Sequence, residues 1–176
     1  MKILTPFIFF SFFAVSCSRT YYVVRHAEKV ETTDSAARNM LNDLPLSEAG
    51  KVRAIVLRDL LKNEKIKNIF STNTSRTLNT AKPLSELIAV SIQQYSTKDT
   101  LDKFIERLTG IKKGNVLIIC HSNTVDDIVN KLAGGTKLPG DLNESEYDNL
   151  YVVKYKRLLG RKISFKKRKY GYPSNP

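Results

Sequence analysis

The run 116–120, Val-Leu-Ile-Ile-Cys, constrains the fold of this chain more than any other feature. Five consecutive apolar residues leave no polar face, which is typical of a strand buried on both sides within a parallel sheet. A second β-type run lies at 21–24. Because parallel strands need long crossover connections, we expect helices to cover both faces of the sheet.

Amphipathic segments separate the strand-like runs. The spacing of apolar residues predicts helices over 47–63, 75–89, 100–109 and 124–133, with strands at 66–71 and near Ile92. In the first helix, Ser47 is the expected N-cap, and the expected buried face is formed by Ala49, Val52, Ile55, Val56 and Leu60.

Two β-rich runs near the C-terminus, 150–155 and 162–166, lie on either side of Leu159-Gly160 and predict an antiparallel hairpin at the sheet edge. The predicted fold is therefore a three-layer α/β domain. It has a mostly parallel central sheet, helices on both faces and an antiparallel edge hairpin, and it extends over residues 17–176 as a single domain.

The first residues have a different character. Met1-Lys2 precedes the apolar run 3–15, which is too short to span a bilayer and is typical of a signal peptide over 1–16. Ala-Val-Ser-Cys17 resembles the lipobox of bacterial lipoproteins, which implies lipidation of Cys17 and a membrane anchor in the cell envelope, outside the cytoplasm. The alternatives are a buried N-terminal helix, and a Cys17 that merely follows a cleavage site. Cys120 is predicted to be a small buried side chain.

The chain is basic, with 29 Lys and Arg against 17 Asp and Glu, so its surface attracts anions. Residues 154–169 contain nine Lys or Arg and no acid. This segment is interpreted as the solvated face of an edge strand, or as a surface that contacts acidic lipids. Because no aromatic residues or motifs support nucleic-acid binding, no nucleic-acid partner is expected.

The two histidines, His26 and His121, each end one of the apolar runs, and ligands bind at the carboxyl ends of parallel strands. Arg25 lies beside His26, and Arg76 follows the predicted strand 66–71. Guanidinium groups repel a metal ion but bind phosphate through charge-assisted hydrogen bonds. A neutral histidine can attack phosphorus, so the sequence predicts a phosphate site, with backbone N–H groups of the helix after His121 pointing at the anion.

Four motifs carry a family resemblance: Val-Val-Arg25-His26-Ala-Glu-Lys, Leu-Ser-Glu-Ala-Gly50, Ser71-Thr-Asn-Thr-Ser-Arg76-Thr-Leu-Asn-Thr-Ala and Gly-Asn-Val-Leu-Ile-Ile-Cys-His121. Together they resemble the histidine phosphatase (phosphoglycerate-mutase-like) superfamily, and the short chain is most similar to its small phosphohistidine-phosphatase-like members. The resemblance implies that His26 accepts the phosphoryl group and that Arg25, Arg76 and His121 hold it.

The implied activity is hydrolysis of a phosphomonoester or phosphohistidine through a covalent intermediate at His26, without metal or cofactor. The substrate would be a small phosphorylated molecule or a phosphoprotein. The alternative is a lipoprotein of the same fold that binds phosphate or a phospholigand without turnover. The loops 29–45 and 134–148 are expected to contact the substrate, and they contain no recognisable motif.

The sequence departs from the family pattern at two points. Ala27 replaces the usual glycine. No residue matches the acid that protonates the leaving group, for which Glu28, Asp126 and Asp127 are the candidates. Glu28 is also interpreted as an ion-pair partner of Lys29.

Overall fold

The computed structural model describes residues 17–31, 43–96, 100–157 and 160–174. Strands and helices alternate along these residues as β1 (Cys17–Arg25), α1 (Glu48–Leu61), β2 (Ile66–Ser71), α2 (Ser75–Ile88), β3 (Ile92–Gln94), α3 (Leu101–Gly110), β4 (Asn115–Cys120), α4 (Val125–Ala133), β5 (Asn149–Arg157) and β6 (Arg161–Lys169). The strands form one sheet in the order β3-β2-β4-β1-β5-β6.

The sheet is mixed: β1 to β4 are parallel, β5 is antiparallel to β1, and β6 is antiparallel to β5. The predicted α/β class is confirmed. The predicted antiparallel hairpin at the sheet edge is confirmed as well, because β5 and β6 follow β1 and β6 forms one edge of the sheet. Strand β5 pairs with β1 from Val24 opposite Leu150 to Cys17 opposite Arg157.

Helices cover the central strands on both faces. Successive side chains of a strand point to opposite faces, so each strand contributes to two cores. Tyr21, Val23 and Ile118 pack with α3 and α4, whereas Tyr22 and Val24 pack with α1 and α2. All five side chains are buried. This double burial explains why β1 and β4 are apolar without alternation.

Helix α1 begins where the sequence predicts, because the Ser47 hydroxyl accepts the Gly50 N–H. The prediction of its buried face is wrong. Val52, Ile55 and Leu60 are exposed, and the helix instead buries Gly50, Arg53, Ala54, Leu57 and Leu61. The helix is rotated in this way because Gly50 packs against the backbone of Glu28 and because Arg53 binds the carboxylate of Glu28.

The predicted signal peptide, residues 1–16, lies outside the described residues, as does the part 32–42 of the predicted substrate loop. Cys17 is the first residue of β1. In the described part of the chain, no helix is long and apolar enough to cross a membrane.

Replacing Gly50 with alanine tests the contact between α1 and the loop after β1. The added Cβ would lie 2.1 Å from the carbonyl oxygen of Glu28, so backbone must move. We expect the free energy of unfolding in urea to fall by about 1–3 kcal/mol. Gly110→Ala is the matched control, because its Cβ would meet nothing within 4 Å. The free energy of unfolding of the control should stay unchanged or rise by up to about 1 kcal/mol. Equal effects of both changes would contradict the packing argument.

Candidate functional site

His26 follows β1 directly and is almost fully buried, with 3% of its surface exposed. Its backbone N–H donates to the Cys120 carbonyl at 2.9 Å, which ties the end of β1 to the end of β4. The ring Nδ1 lies 2.8 Å from the carbonyl oxygen of Ala27. Because a carbonyl only accepts hydrogen bonds, Nδ1 carries the proton and Nε2 keeps its lone pair.

His121 follows β4, and its ring centroid is 5.5 Å from that of His26. Its Nε2 shares a hydrogen bond of 2.8 Å with the Thr72 hydroxyl. Burial, together with the nearby Arg25 and Arg76, lowers the pKa of His26 to about 3 and that of His121 to about 4. Both rings are therefore neutral near pH 7.

Arg25 is 2% exposed, and the loop before β5 binds most of its guanidinium. Nη1 donates to the carbonyls of Asn143 and Glu144, both at 2.9 Å. Nη2 donates to the Glu144 carboxylate at 2.8 Å and to the Tyr147 hydroxyl at 3.3 Å. The guanidinium also lies 4.1 Å from the centre of the Tyr147 ring. Its Nε is buried and has no hydrogen-bond partner among the residues that the structure describes.

Arg76 is the second residue of α2, and its Nη1 lies 3.7 Å from a carboxylate oxygen of Asp43. As in Arg25, the Nε of Arg76 is buried and lacks a hydrogen-bond partner among the described residues. An unpaired buried donor costs free energy, and a bound anion removes that cost. The two guanidinium groups therefore fit a phosphate.

The four predicted site residues line one cavity of about 710 Å³: Arg25, His26, Arg76 and His121. Lys29 and Ser122 also line it. Within the described ranges, no three His, Cys, Asp or Glu side chains are arranged to hold a metal ion. At the start of α4, the N–H groups of Thr124 and Val125 donate to the His121 carbonyl, so these two N–H groups are already engaged.

The three acids predicted to protonate a leaving group do not line this cavity. Glu28 is bound by Arg53 through contacts of 2.6–2.9 Å, and Lys29 lies 3.8 Å from Glu144 instead. Asp126 is buried at 8% exposure, and its Oδ1 has no hydrogen-bond partner among the described residues. Asp127 is exposed on α4. The structure does not place these three acids at the cavity, because sequence proximity to a histidine does not give side-chain direction.

The acids that do line the cavity are Asp141 and Glu144, in the loop between α4 and β5. Besides Arg25, the Glu144 carboxylate accepts the Ser122 hydroxyl at 3.0 Å. Partial burial raises the pKa of Glu144, but Arg25, Ser122 and Lys29 outweigh it and hold the pKa below its usual range. Sequence reasoning missed both acids, because nothing local marks a contact between residues 119 positions apart.

Ala27 occupies the usual glycine position without strain, because its backbone φ is not positive. Its side chain packs with Leu46 and Ala54, and its N–H donates to the Thr80 hydroxyl at 2.9 Å. We call the cavity of about 710 Å³ the phosphate cavity. A larger cavity of about 880 Å³ adjoins it and shares Lys29 and Glu144 with it.

Residues 21–97 match the sequence model of the histidine phosphatase superfamily (branch 1). This stretch contains Arg25, His26 and Arg76 and ends before His121. Residues 21–97 therefore carry the sequence features of that superfamily. No curated protein is significantly similar in sequence to this chain.

Solved structures of phosphatases and a mutase share the fold. The protein histidine phosphatase SixA complexed with tungstate is 14% identical, covering 85% of this chain and 96% of its own, with a TM-score of 0.60. The mycobacterial glucosyl-3-phosphoglycerate phosphatase complexed with VO3 is 12% identical, covering 84% and 97%, with a TM-score of 0.61. Phosphoglycerate mutase from Bacillus anthracis is 18% identical, covering 82% and 93%, with a TM-score of 0.56.

Glu28→Gln tests whether Glu28 is structural. The change leaves the buried charge of Arg53 without its carboxylate, and we expect the free energy of unfolding in urea to fall by about 3–5 kcal/mol. Asp59→Asn is the control, because the pair of Asp59 with Arg58 is exposed and its loss should leave stability almost unchanged. A stable Glu28→Gln protein would refute the structural role.

The pKa of His26 makes stability depend on pH. Between pH 6.5 and about 3, unfolded His26 binds a proton that folded His26 does not bind, so stability falls as the pH falls. At pH 5 this contribution is about 2 kcal/mol relative to neutral pH. We expect His26→Asn to lose roughly that much less stability than the wild type between pH 7.5 and pH 5 in urea unfolding. Equal losses would contradict a buried neutral ring.

Proposed function

We propose, with the superfamily match of residues 21–97 as the premise, that this chain is a phosphatase. It would hydrolyse a phosphomonoester or a phosphohistidine through a covalent phosphohistidine at His26. The observation that carries the proposal is the fixed His26 ring. A neutral imidazole whose Nδ1–H is bound to the Ala27 carbonyl keeps its Nε2 lone pair, in the cavity that Arg25 and Arg76 also line.

In the first step, the Nε2 lone pair of His26 attacks phosphorus. The bond from phosphorus to the leaving atom breaks; that atom is an oxygen in a phosphomonoester and a nitrogen in a phosphohistidine. The Ala27 carbonyl stabilises the positive charge that develops on the ring, because its hydrogen bond to Nδ1–H strengthens. The guanidinium groups of Arg25 and Arg76, with neutral His121, would bind the phosphoryl oxygens. Fixed cations at these oxygens stabilise the transition state.

In the second step, water attacks the phosphohistidine, the P–N bond breaks and inorganic phosphate leaves. The lone pair returns to Nε2 of His26, and the proton of the attacking water passes to a nearby carboxylate. The steps require no metal or cofactor, because the two arginines supply the positive charge. Dividing one displacement into two lowers each barrier.

We assign the proton transfers to Glu144, because its carboxylate lines the phosphate cavity and is bonded to Arg25 and Ser122. A bound phosphate dianion would compete for Arg25 and repel the carboxylate. Both effects raise the pKa of Glu144 towards the range of a proton donor. Asp141 lines the same cavity and is the second candidate.

The structural neighbours are consistent with an oxyanion site, since one holds tungstate and another VO3. The first is a protein histidine phosphatase and the second a sugar-phosphoglycerate phosphatase. A phosphoprotein or a small phosphorylated molecule is therefore the substrate class that we propose. The adjoining cavity of about 880 Å³ offers space for the rest of the substrate.

The alternative function is phosphate or phospholigand binding without turnover. It is favoured by the hydrogen bonds of Arg25, because both Nη atoms are bonded to the 143–147 loop. A substrate therefore contacts only the Nε of Arg25 unless Glu144 moves away.

We also propose that the protein is a lipoprotein anchored through Cys17 in the cell envelope, outside the cytoplasm. This rests on the lipobox-like sequence before β1.

Hydrolysis of p-nitrophenyl phosphate by residues 18–176, in the presence of EDTA, tests the central proposal. We expect turnover by the wild type and at least about a 10³-fold loss in His26→Ala. Arg76→Ala should lose about 10²–10³-fold, whereas Arg58→Ala, at an exposed pair, should keep its activity. Undiminished activity of His26→Ala would contradict the proposal. Absence of turnover, with phosphate-dependent stabilisation that Arg76→Ala abolishes, would establish the binding function instead.

Glu144→Gln tests the assigned acid through the leaving group. Phenol needs protonation far more than p-nitrophenol does, so the variant should lose at least about 10²-fold on phenyl phosphate and less than about tenfold on p-nitrophenyl phosphate. Glu86→Gln, on the exposed side of α2, is the control and should match the wild type on both substrates. Equal losses on the two substrates would show that Glu144 positions Arg25 and does not donate the proton. A loss on phenyl phosphate alone in Asp141→Asn would assign the proton transfer to Asp141.

A further inference from the structure

The end of the sheet opposite the phosphate cavity is strongly basic. Lys65 and Lys67 lie at the start of β2, and Lys112 and Lys113 precede β4. Strand β5 ends and strand β6 begins at the same end of the sheet. We define the basic end as the exposed residues Lys65, Lys67, Lys112, Lys113, Lys156 and Lys162. It is separate from the cavity, because His26 and His121 follow the other ends of β1 and β4.

Hydrogen bonds connect the start of β2 to the segment before β4, and the hairpin brings two further lysines together. The Asn68 side chain donates to the Lys113 carbonyl at 3.2 Å, and the Asn115 N–H donates to the Lys65 carbonyl at 3.1 Å. Lys156 and Lys162 are directly opposite each other in the hairpin. Opposite residues of an antiparallel pair lie on the same face, so these two like charges are adjacent.

The positive charge of the basic end is not neutralised within the part of the chain that the structure describes. None of its six lysines forms an ion pair with a described residue. The neighbouring Glu64 carboxylate accepts the Tyr22 hydroxyl at 2.5 Å, and its backbone carbonyl accepts the Asn115 side chain. Adjacent like charges repel each other, and an external anion beside this end would reduce that repulsion.

Cys17 lies at this same end, since β1 begins there opposite Arg157. In the sequence, Cys17 comes two residues after the apolar run 3–15. At roughly 3.3 Å per residue, the length of β1 separates Cys17 from Arg25 by about 26 Å. The apolar segment therefore joins the domain at the basic end, far from the phosphate cavity.

We propose that the basic end binds a membrane surface that contains anionic lipids, with the phosphate cavity directed away from the bilayer. The lipid anchor proposed at Cys17, on which this inference rests, and a cluster of lysines are two signals that together give stable membrane attachment. A nucleic acid fits less well, because bases stack on aromatic side chains. Among the described residues the exposed aromatic side chain is Tyr172, which lines the cavity of about 880 Å³ instead.

The test uses the full chain with phosphatidylcholine vesicles, prepared with or without phosphatidylglycerol. The measurement is the ratio of the two binding constants, which cancels the contribution of the N-terminal anchor common to both. We expect phosphatidylglycerol to strengthen binding at least about tenfold at low salt, and salt to remove the effect. The quadruple variant Lys112→Glu, Lys113→Glu, Lys156→Glu and Lys162→Glu should lose the effect.

The control variant replaces Lys82 and Lys103, which are exposed lysines on α2 and α3, with glutamate. It should keep the wild-type ratio of the two binding constants. An unchanged thermal unfolding midpoint in the quadruple variant ensures that the loss is not unfolding. A ratio near one in the wild type, or the same ratio in the quadruple variant, would overturn the proposal. So would salt-sensitive binding of a DNA oligonucleotide through these lysines without any preference for anionic vesicles. None of these outcomes depends on phosphatase activity.

Discussion

The parallel pairing of β1 with β4 is the interaction on which the site depends. It places Arg25 opposite Cys120 in the sheet, so the next residue of each strand, His26 or His121, comes to lie beside the other. The backbone hydrogen bond from His26 to Cys120 continues the ladder by one residue and fixes the first ring. Helices pack on both faces of these two strands, and a shift of register would disrupt both cores together with the site.

A second requirement is the support of the segment after His26 by residues from distant parts of the chain. Thr80 of α2 accepts the Ala27 N–H, and Gly50 of α1 packs against the Glu28 backbone. Arg53 binds the Glu28 carboxylate from the same helix. The motif residues Gly50 and Thr80 therefore support the segment after His26, a role that sequence comparison alone does not distinguish from direct catalysis.

The sequence was sufficient to predict the features that local pattern determines. The α/β class, the helix start at Ser47 and the convergence of His26, His121 and Arg76 were all predictable, because apolar runs specify buried strands and strand ends specify a common edge. Contacts of long sequence separation were not predictable. The clearest case is Glu144, whose partner Arg25 lies 119 positions away.

The same limit explains the errors on α1 and on the predicted acids. Periodicity predicts Val52 and Ile55 in the core, yet a buried Arg53 takes the inward face because Glu28 requires a counter-charge. Two polar side chains that satisfy each other can replace apolar ones in a core position. Such pairs are visible only once both elements are placed, so hydrophobic periodicity identified the helix but not its rotation.

The segment 170–174 has a consequence for how the molecule matures. Arg53 also donates to the carbonyls of Tyr170 and Tyr172, and the Ser174 hydroxyl accepts the N–H groups of Tyr147 and Asp148. On a ribosome, the histidines and arginines of the pocket are translated well before these last contacts can form. The loop that binds Arg25 thus gains this support only after residues 170–174 have been translated, and a nascent chain that stops before them has an incomplete pocket.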